Sequence, residues 1–150
     1  MAVVSASVAA AGSGAASQWV EIRSSGALDA NPSASGSFVL RPVPSGVLAP
    51  DAGRTSSVWS ERVAMRARQS IEVEEGVTTY DGRRGSFEVR YRIEYVEFAG
   101  DYHAGDGTWK LVRATGQYAR MTGRGRIAGV WRERKPFPWW ERLQGSLTRG

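Results

Sequence analysis

The chain has 150 residues, with 18 glycines, six tryptophans and a formal net charge of +5. That length suits one domain with a core of useful size, and glycine beside aromatic and β-branched runs suits an all-β fold rather than a helical bundle. The absence of cysteine excludes a disulfide framework and a cysteine-based metal site, and no stretch is long and apolar enough to cross a bilayer as a helix.

Residues 1 to 17, rich in Ala, Ser and Gly, read as a flexible leader. Without a charged start, and with serines breaking its apolar centre, the leader is at best a poor remnant of an export signal, which favours the cytoplasm over secretion. Gln18 to Arg23 alternates as a first strand, and residues 24 to 36 read as a linker of Ser, Ala and Gly. Ser37 to Val43 is a short apolar run that Pro42 ends or marks as an edge. Pro44 to Arg54 is a loop by its turn chemistry.

Val58 to Arg68 carries Trp59, Val63 and Met65 at odd positions. Its Ala, Met, Glu and Arg favour helix, but the β character of both flanks makes it a strand. Ile71 to Tyr80 is a clearer strand, and Asp81-Gly82 is a favoured hairpin dipeptide. Next comes the most regular segment of the chain. From Phe87 to Tyr95 every odd residue is apolar or aromatic, and from Ser86 to Glu94 every even one is polar or charged. That two-residue period fits a long strand with one greasy face, which needs a large curved sheet to cover it.

Residues 99 to 107 read as a Gly-rich loop, Thr108 to Arg113 as a returning strand, and Ala114 to Gly123 as a connection holding one helical turn. Arg124 to Arg132 is a further strand, Glu133 to Trp140 a rigid aromatic loop, and Leu143 to Thr148 a closing strand. Eight strands joined by hairpin-length turns form a meander able to close on itself and abolish both edges. The expected fold is therefore an eight-stranded antiparallel β-barrel, one domain over residues 18 to 150.

Glu88, Arg90, Arg92 and Glu94 alternate along the polar face of the central strand. This is the pattern of a solvated wall of ion pairs rather than of a polyanion site, so a nucleic-acid partner is not expected. Arg83-Arg84 and Arg124-x-Arg126 read as solvated rim charges. Gly105-x-Gly107 and Gly123-x-Gly125 lack the spacing and helix of a phosphate loop.

Glu75 interrupts the apolar series Ile71, Val73 and Val77, so period two aims it into the barrel. A carboxyl there has its pKa raised by desolvation and suits general acid or base work. The competing reading places a bulge at Glu74-Glu75-Gly76, which returns Glu75 to solvent. Glu61, between Trp59 and Val63, poses the same choice with surface exposure preferred. Tyr91 and Tyr95 sit on the apolar face, either to donate hydrogen bonds to a developing oxyanion or to fill space. Trp59, Trp109 and Trp131 complete the set that would line a ligand-binding lumen. His103, the single histidine, reads as a surface loop residue: a Ser-His-Asp arrangement is geometrically possible but no nucleophile motif supports it, and one histidine without cysteine does not suit a transition-metal site.

The run Gly76-Val-Thr-Thr-Tyr-Asp-Gly-Arg-Arg-Gly-Ser-Phe87, then Gly107-Thr-Trp109, then Gly116-x-Tyr118 and Gly123-x-Gly125, resembles the allene oxide cyclase-like barrel superfamily. That superfamily includes plant dirigent proteins and bacterial spirotetronate cyclases. The resemblance covers about residues 76 to 131 and departs from the pattern at Ala114, where a first glycine is replaced. It implies an eight-stranded barrel with an apolar lumen open at one end, a homodimer or homotrimer, and steering of a reactive small molecule by shape without metal or cofactor. No catalytic residue is carried over. Three readings follow: a cyclase or isomerase for an apolar or aromatic substrate using Glu75 and Tyr91, a lipocalin-like carrier, and an interaction protein docking through the aromatic loop at 136 to 140.

Overall fold

The computed structural model describes residues 15–30, 32–44, 46–98 and 100–150. Along them run β1 (Ser17–Ala30), β2 (Ser33–Pro42), β3 (Asp51–Arg66), β4 (Gln69–Gly82), β5 (Gly85–Phe98), β6 (Tyr102–Ala114), β7 (Met121–Arg132) and β8 (Pro138–Arg149). Each strand pairs antiparallel with the next in sequence. β8 returns to β1 from Ser17 opposite Thr148 to Ala27 opposite Pro138, closing the barrel. The leader expected over residues 1 to 17 lies, up to residue 14, outside the described residues.

The strands run longer than their apolar patterns suggest. The expected linker at 24 to 36 is the paired end of β1 and start of β2, and most of the expected loop at 99 to 107 belongs to β6. At several glycines of the wall both a neighbouring strand's carbonyl and an aromatic ring crowd the place a Cβ would take. A Cβ on Gly105 would stand 2.8 Å from the Tyr95 ring, one on Gly36 2.9 Å from the Trp139 ring, and one on Gly145 2.7 Å from the Trp109 ring. Glycine opposite an aromatic ring is how this wall fits bulky side chains into a barrel whose interior is only wide enough for side chains.

The two ends of the barrel differ. At one end Phe38, Tyr80, Phe87 and Tyr118 interlock, with Tyr80 stacked on Phe87 at 4.7 Å and Phe38 edge-on to Tyr80 at 5.2 Å. The short 3₁₀ turn Gly116–Tyr118 folds under them. Asp51 ties that end together, accepting hydrogen bonds from the Tyr118 hydroxyl at 2.9 Å and from the backbone N–H groups of Arg83 and Arg84 at 3.0 and 3.2 Å. At the opposite end β3 outruns β2, whose last partner is Val58, and β4 joins β5 only from Glu72 onward. The β3–β4 hairpin thus stands above the rim, with Val63 and Met65 exposed.

On the outer wall Arg66, Glu94, Arg92 and Glu75 form a chain of ion pairs at 2.7, 2.8 and 3.2 Å. The alternating charges of β5 are a solvated face, as expected. Inside, Phe87, Val89, Tyr91, Ile93 and Tyr95 are all buried. Trp109 packs among them, over Gly125 and Gly145, and its Nε1 donates to the Gln144 carbonyl at 3.3 Å.

Trp109 is therefore a core residue rather than a ligand wall. Trp109→Ala is expected to lower unfolding free energy by about 3–5 kcal/mol, read from the urea midpoint at unchanged m. Trp131→Ala, at the half-buried rim, should cost less than half as much.

Candidate functional site

The open end holds a cavity of about 160 Å³. Five aromatic side chains wall it: Trp59 from β3, Tyr91 and Tyr95 from β5, Trp131 from β7 and Trp139 from β8. Four carboxyls face the same space: Glu61, Glu72, Glu74 and Glu141. No lysine, arginine or histidine lines it.

Glu75 is not among the lining residues. It sits on the outer wall, paired with Arg92 at 3.2 Å. No bulge puts it there, because β4 keeps an unbroken register with β3 and with β5. The even residues of β4 face inward throughout, so Glu72, Glu74, Thr78 and Tyr80 share the lumen. Val73 is buried on the outer wall instead, flanked by its cross-strand neighbours Arg62 and Glu94. The carboxyl expected inside is thus Glu74, one position earlier. Glu61, for which exposure was preferred, is exposed yet at the mouth of the cavity.

Tyr91 and Glu74 meet directly. The Tyr91 hydroxyl donates to Glu74 Oε1 at 2.6 Å, a short bond of the charge-assisted kind. Gly76 makes the approach possible. It lies directly opposite Tyr91, and a Cβ there would stand 2.7 Å from the Tyr91 oxygen. Of the predicted lining residues, Trp59, Tyr95 and Trp131 join Tyr91 at the cavity, whereas Trp109 does not.

Burial pushes the Glu74 carboxyl up to about 7, helped by the negative charges of Glu72 and Glu61 and opposed by the Tyr91 hydrogen bond. Burial pushes Glu141 up to about 8, with Glu74 adding to the shift. Ser24, directly across the β1–β8 ladder, offsets part of it, although no hydrogen bond of acceptable geometry forms. Glu72 is also raised, by burial and then by Glu61. Tyr91 and Tyr95 are held well above the ordinary phenol range, chiefly by burial, so both keep their protons.

Several polar atoms around the cavity have no partner: Trp59 Nε1, Trp139 Nε1 and Glu141 Oε2 are shielded and unbonded. His103 lies in β6, not in a surface loop. Its ring stacks on Trp131 at 3.9 Å, with Nδ1 3.9 Å from Glu72 and Nε2 3.7 Å from Glu133. The expected aromatic loop is also divided: Trp139 turns into the cavity, and Trp140, the next residue of β8, faces out. Among the described residues no group of three or more His, Asp or Glu side chains is arranged to hold a metal ion.

No protein-family model, curated protein or solved structure matches the chain.

The two raised carboxyls give stability a definite pH dependence. Each binds its proton more tightly in the folded chain than in the unfolded one, where the ordinary value is 4.5. The folded state therefore holds more protons between that value and about 8, and stability falls as pH rises across this window. Glu141→Gln should flatten the fall in urea midpoint between pH 5 and 9 and make the variant more stable than wild type at pH 9, by up to about 3 kcal/mol. Equal slopes in the two proteins would contradict the burial of this carboxyl.

Proposed function

We propose that the barrel binds a small, flat molecule in its open end and moves a proton on it, as an isomerase or cyclase that works mainly by shape. The observation that carries this reading is the pair of inward carboxyls, Glu74 and Glu141, both raised by burial to neutral pH or above in an aromatic-walled cavity. Groups of one type pushed to different values divide the roles of base and acid between them. Tyr91 donates to Glu74 and so favours its carboxylate, which makes Glu74 the base. Glu141 has an unbonded oxygen and no tyrosine donor, and its burial favours the protonated form, which makes it the acid. The two interact, so they lose protons as a pair rather than independently.

Tyr91 is a positioning residue in this scheme, holding Glu74 and setting how far its carboxyl is raised. Trp59, Tyr95, Trp131 and Trp139 supply flat walls that restrict a bound molecule to one conformer, a positioning effect. An apolar cavity of about 150 Å³ accepts benzene, so a space of about 160 Å³ suits a one- or two-ring compound. A carrier of a neutral compound would gain nothing from two desolvated carboxyls, each costly to place there. The closed eight-stranded meander, open at one end, supports the allene oxide cyclase-like reading at the level of architecture.

A chromogenic base probe tests the proposal without knowledge of the natural substrate. 5-Nitrobenzisoxazole is a flat bicycle whose ring opens when one proton is removed. The barrel should accelerate that opening about a hundredfold or more over buffer, with the rate rising as pH passes through about 7. Glu74→Gln should lose the acceleration, and Glu75→Gln should keep it. No acceleration, or equal rates in wild type and Glu74→Gln, would remove the catalytic reading.

A further inference from the structure

The composition of the cavity narrows the class of molecule it takes. Four carboxyls face about 160 Å³ with no basic side chain among the lining residues, in a chain whose overall charge is +5. Elsewhere several acidic groups are answered by arginine: Glu21 by Arg23 and Arg142, Glu94 by Arg66 and Arg92, Asp101 by Arg132. The excess of negative groups inside is thus local, and nothing in the lining offsets it. Glu141 Oε2, on a lining residue, is shielded and has no hydrogen-bond partner within the protein, an acceptor that a donor-only group such as an ammonium would satisfy. The faces of Trp59, Trp131 and Trp139 complete the set, because a cation is attracted to an aromatic face and most strongly to tryptophan.

We propose that the occupant of the open end is a small organic cation, a protonated amine carried on a flat ring, with its nitrogen among the glutamates and its ring against the tryptophans. The inference rests on the reading of the open end as a ligand site, but not on the proton-transfer step. An ammonium group is the partner that lets desolvated carboxylates keep their charge. Its arrival favours their ionised forms and expels protons into solution. The groups that share this balance are Glu61 on β3, Glu72 and Glu74 on β4, Tyr91 and Tyr95 on β5, and Glu141 on β8. His103 of β6 and Glu133 after β7 stand behind Glu72.

Calorimetry with phenethylamine and its neutral isostere 2-phenylethanol provides the test. At pH 7.5 the amine should bind at least about tenfold more tightly than the alcohol. Titrations in buffers of different ionisation enthalpy should report net proton release on amine binding and none on alcohol binding. Glu72→Gln with Glu141→Gln should erase the preference, with an unchanged near-UV circular dichroism spectrum showing that the variant is folded, and a preference retained in the folded variant would overturn the inference. Alcohol binding as tight as amine binding would overturn the cation inference and leave the ligand site standing. If neither compound binds and the benzisoxazole is also not turned over, the ligand-site reading fails together with it.

Discussion

The ladder between β1 and β8 turns a sheet into a container, and every property of the site depends on it. In an open sheet the carboxyls of Glu74 and Glu141 would face water and behave as ordinary glutamates. Once the ring is closed, the same side chains are enclosed by Trp59, Tyr91, Tyr95, Trp131 and Trp139, and burial dominates their ionisation. Closure also fixes which end holds chemistry. Phe38, Tyr80, Phe87 and Tyr118 pack one end solid around the Asp51 hydrogen bonds, and the remaining space collects at the other.

Small residues are the second half of the design. The inner wall sets glycines against several of its rings: Gly36 against Trp139, Gly105 and Gly129 against Tyr95, and Gly125 and Gly145 against Trp109. Gly76 under Tyr91 is the instance that matters for the site, since it lets the phenol reach across to Glu74. Packing and site geometry are therefore one arrangement. A side chain added at position 76 would meet the Tyr91 hydroxyl and the Val58 carbonyl at the same distance of 2.7 Å, so it would disturb the Tyr91–Glu74 contact and the β3–β4 ladder together.

Much of the architecture is legible in the residues. The inward face of β5 follows from strict alternation at Phe87, Val89, Tyr91, Ile93 and Tyr95, and the eight-strand count follows from the spacing of turns. The extents of β1, β2 and β6 are not, because Ser, Ala and Gly opposite aromatic rings look like linker when read alone. The inward carboxyl was hidden by a parity error with a physical cause: Ile71 and Val73 are apolar but bury on the outer wall. A signal that resolves it was present. A two-residue turn at Arg83-Arg84 sets Gly82 opposite Gly85 and Tyr80 opposite Phe87. Since Phe87 faces in, Tyr80 must also face in, and with it every even residue of β4 back to Glu74. Trp109 and Trp131 are alike in sequence, and only their depth in the barrel separates a core residue from a cavity wall.

Because the ring excludes water from them, two glutamate side chains lose their protons far above the usual carboxyl range. Carboxyl ¹³C titration of the glutamates by NMR, assigned with Glu74→Gln and Glu141→Gln, reads this directly. Two signals with midpoints near 7 and 8, each missing from its own variant, are the expected result. Glutamate signals that all move together at the ordinary acid range of 4.5 would contradict it, since both groups would then be in water.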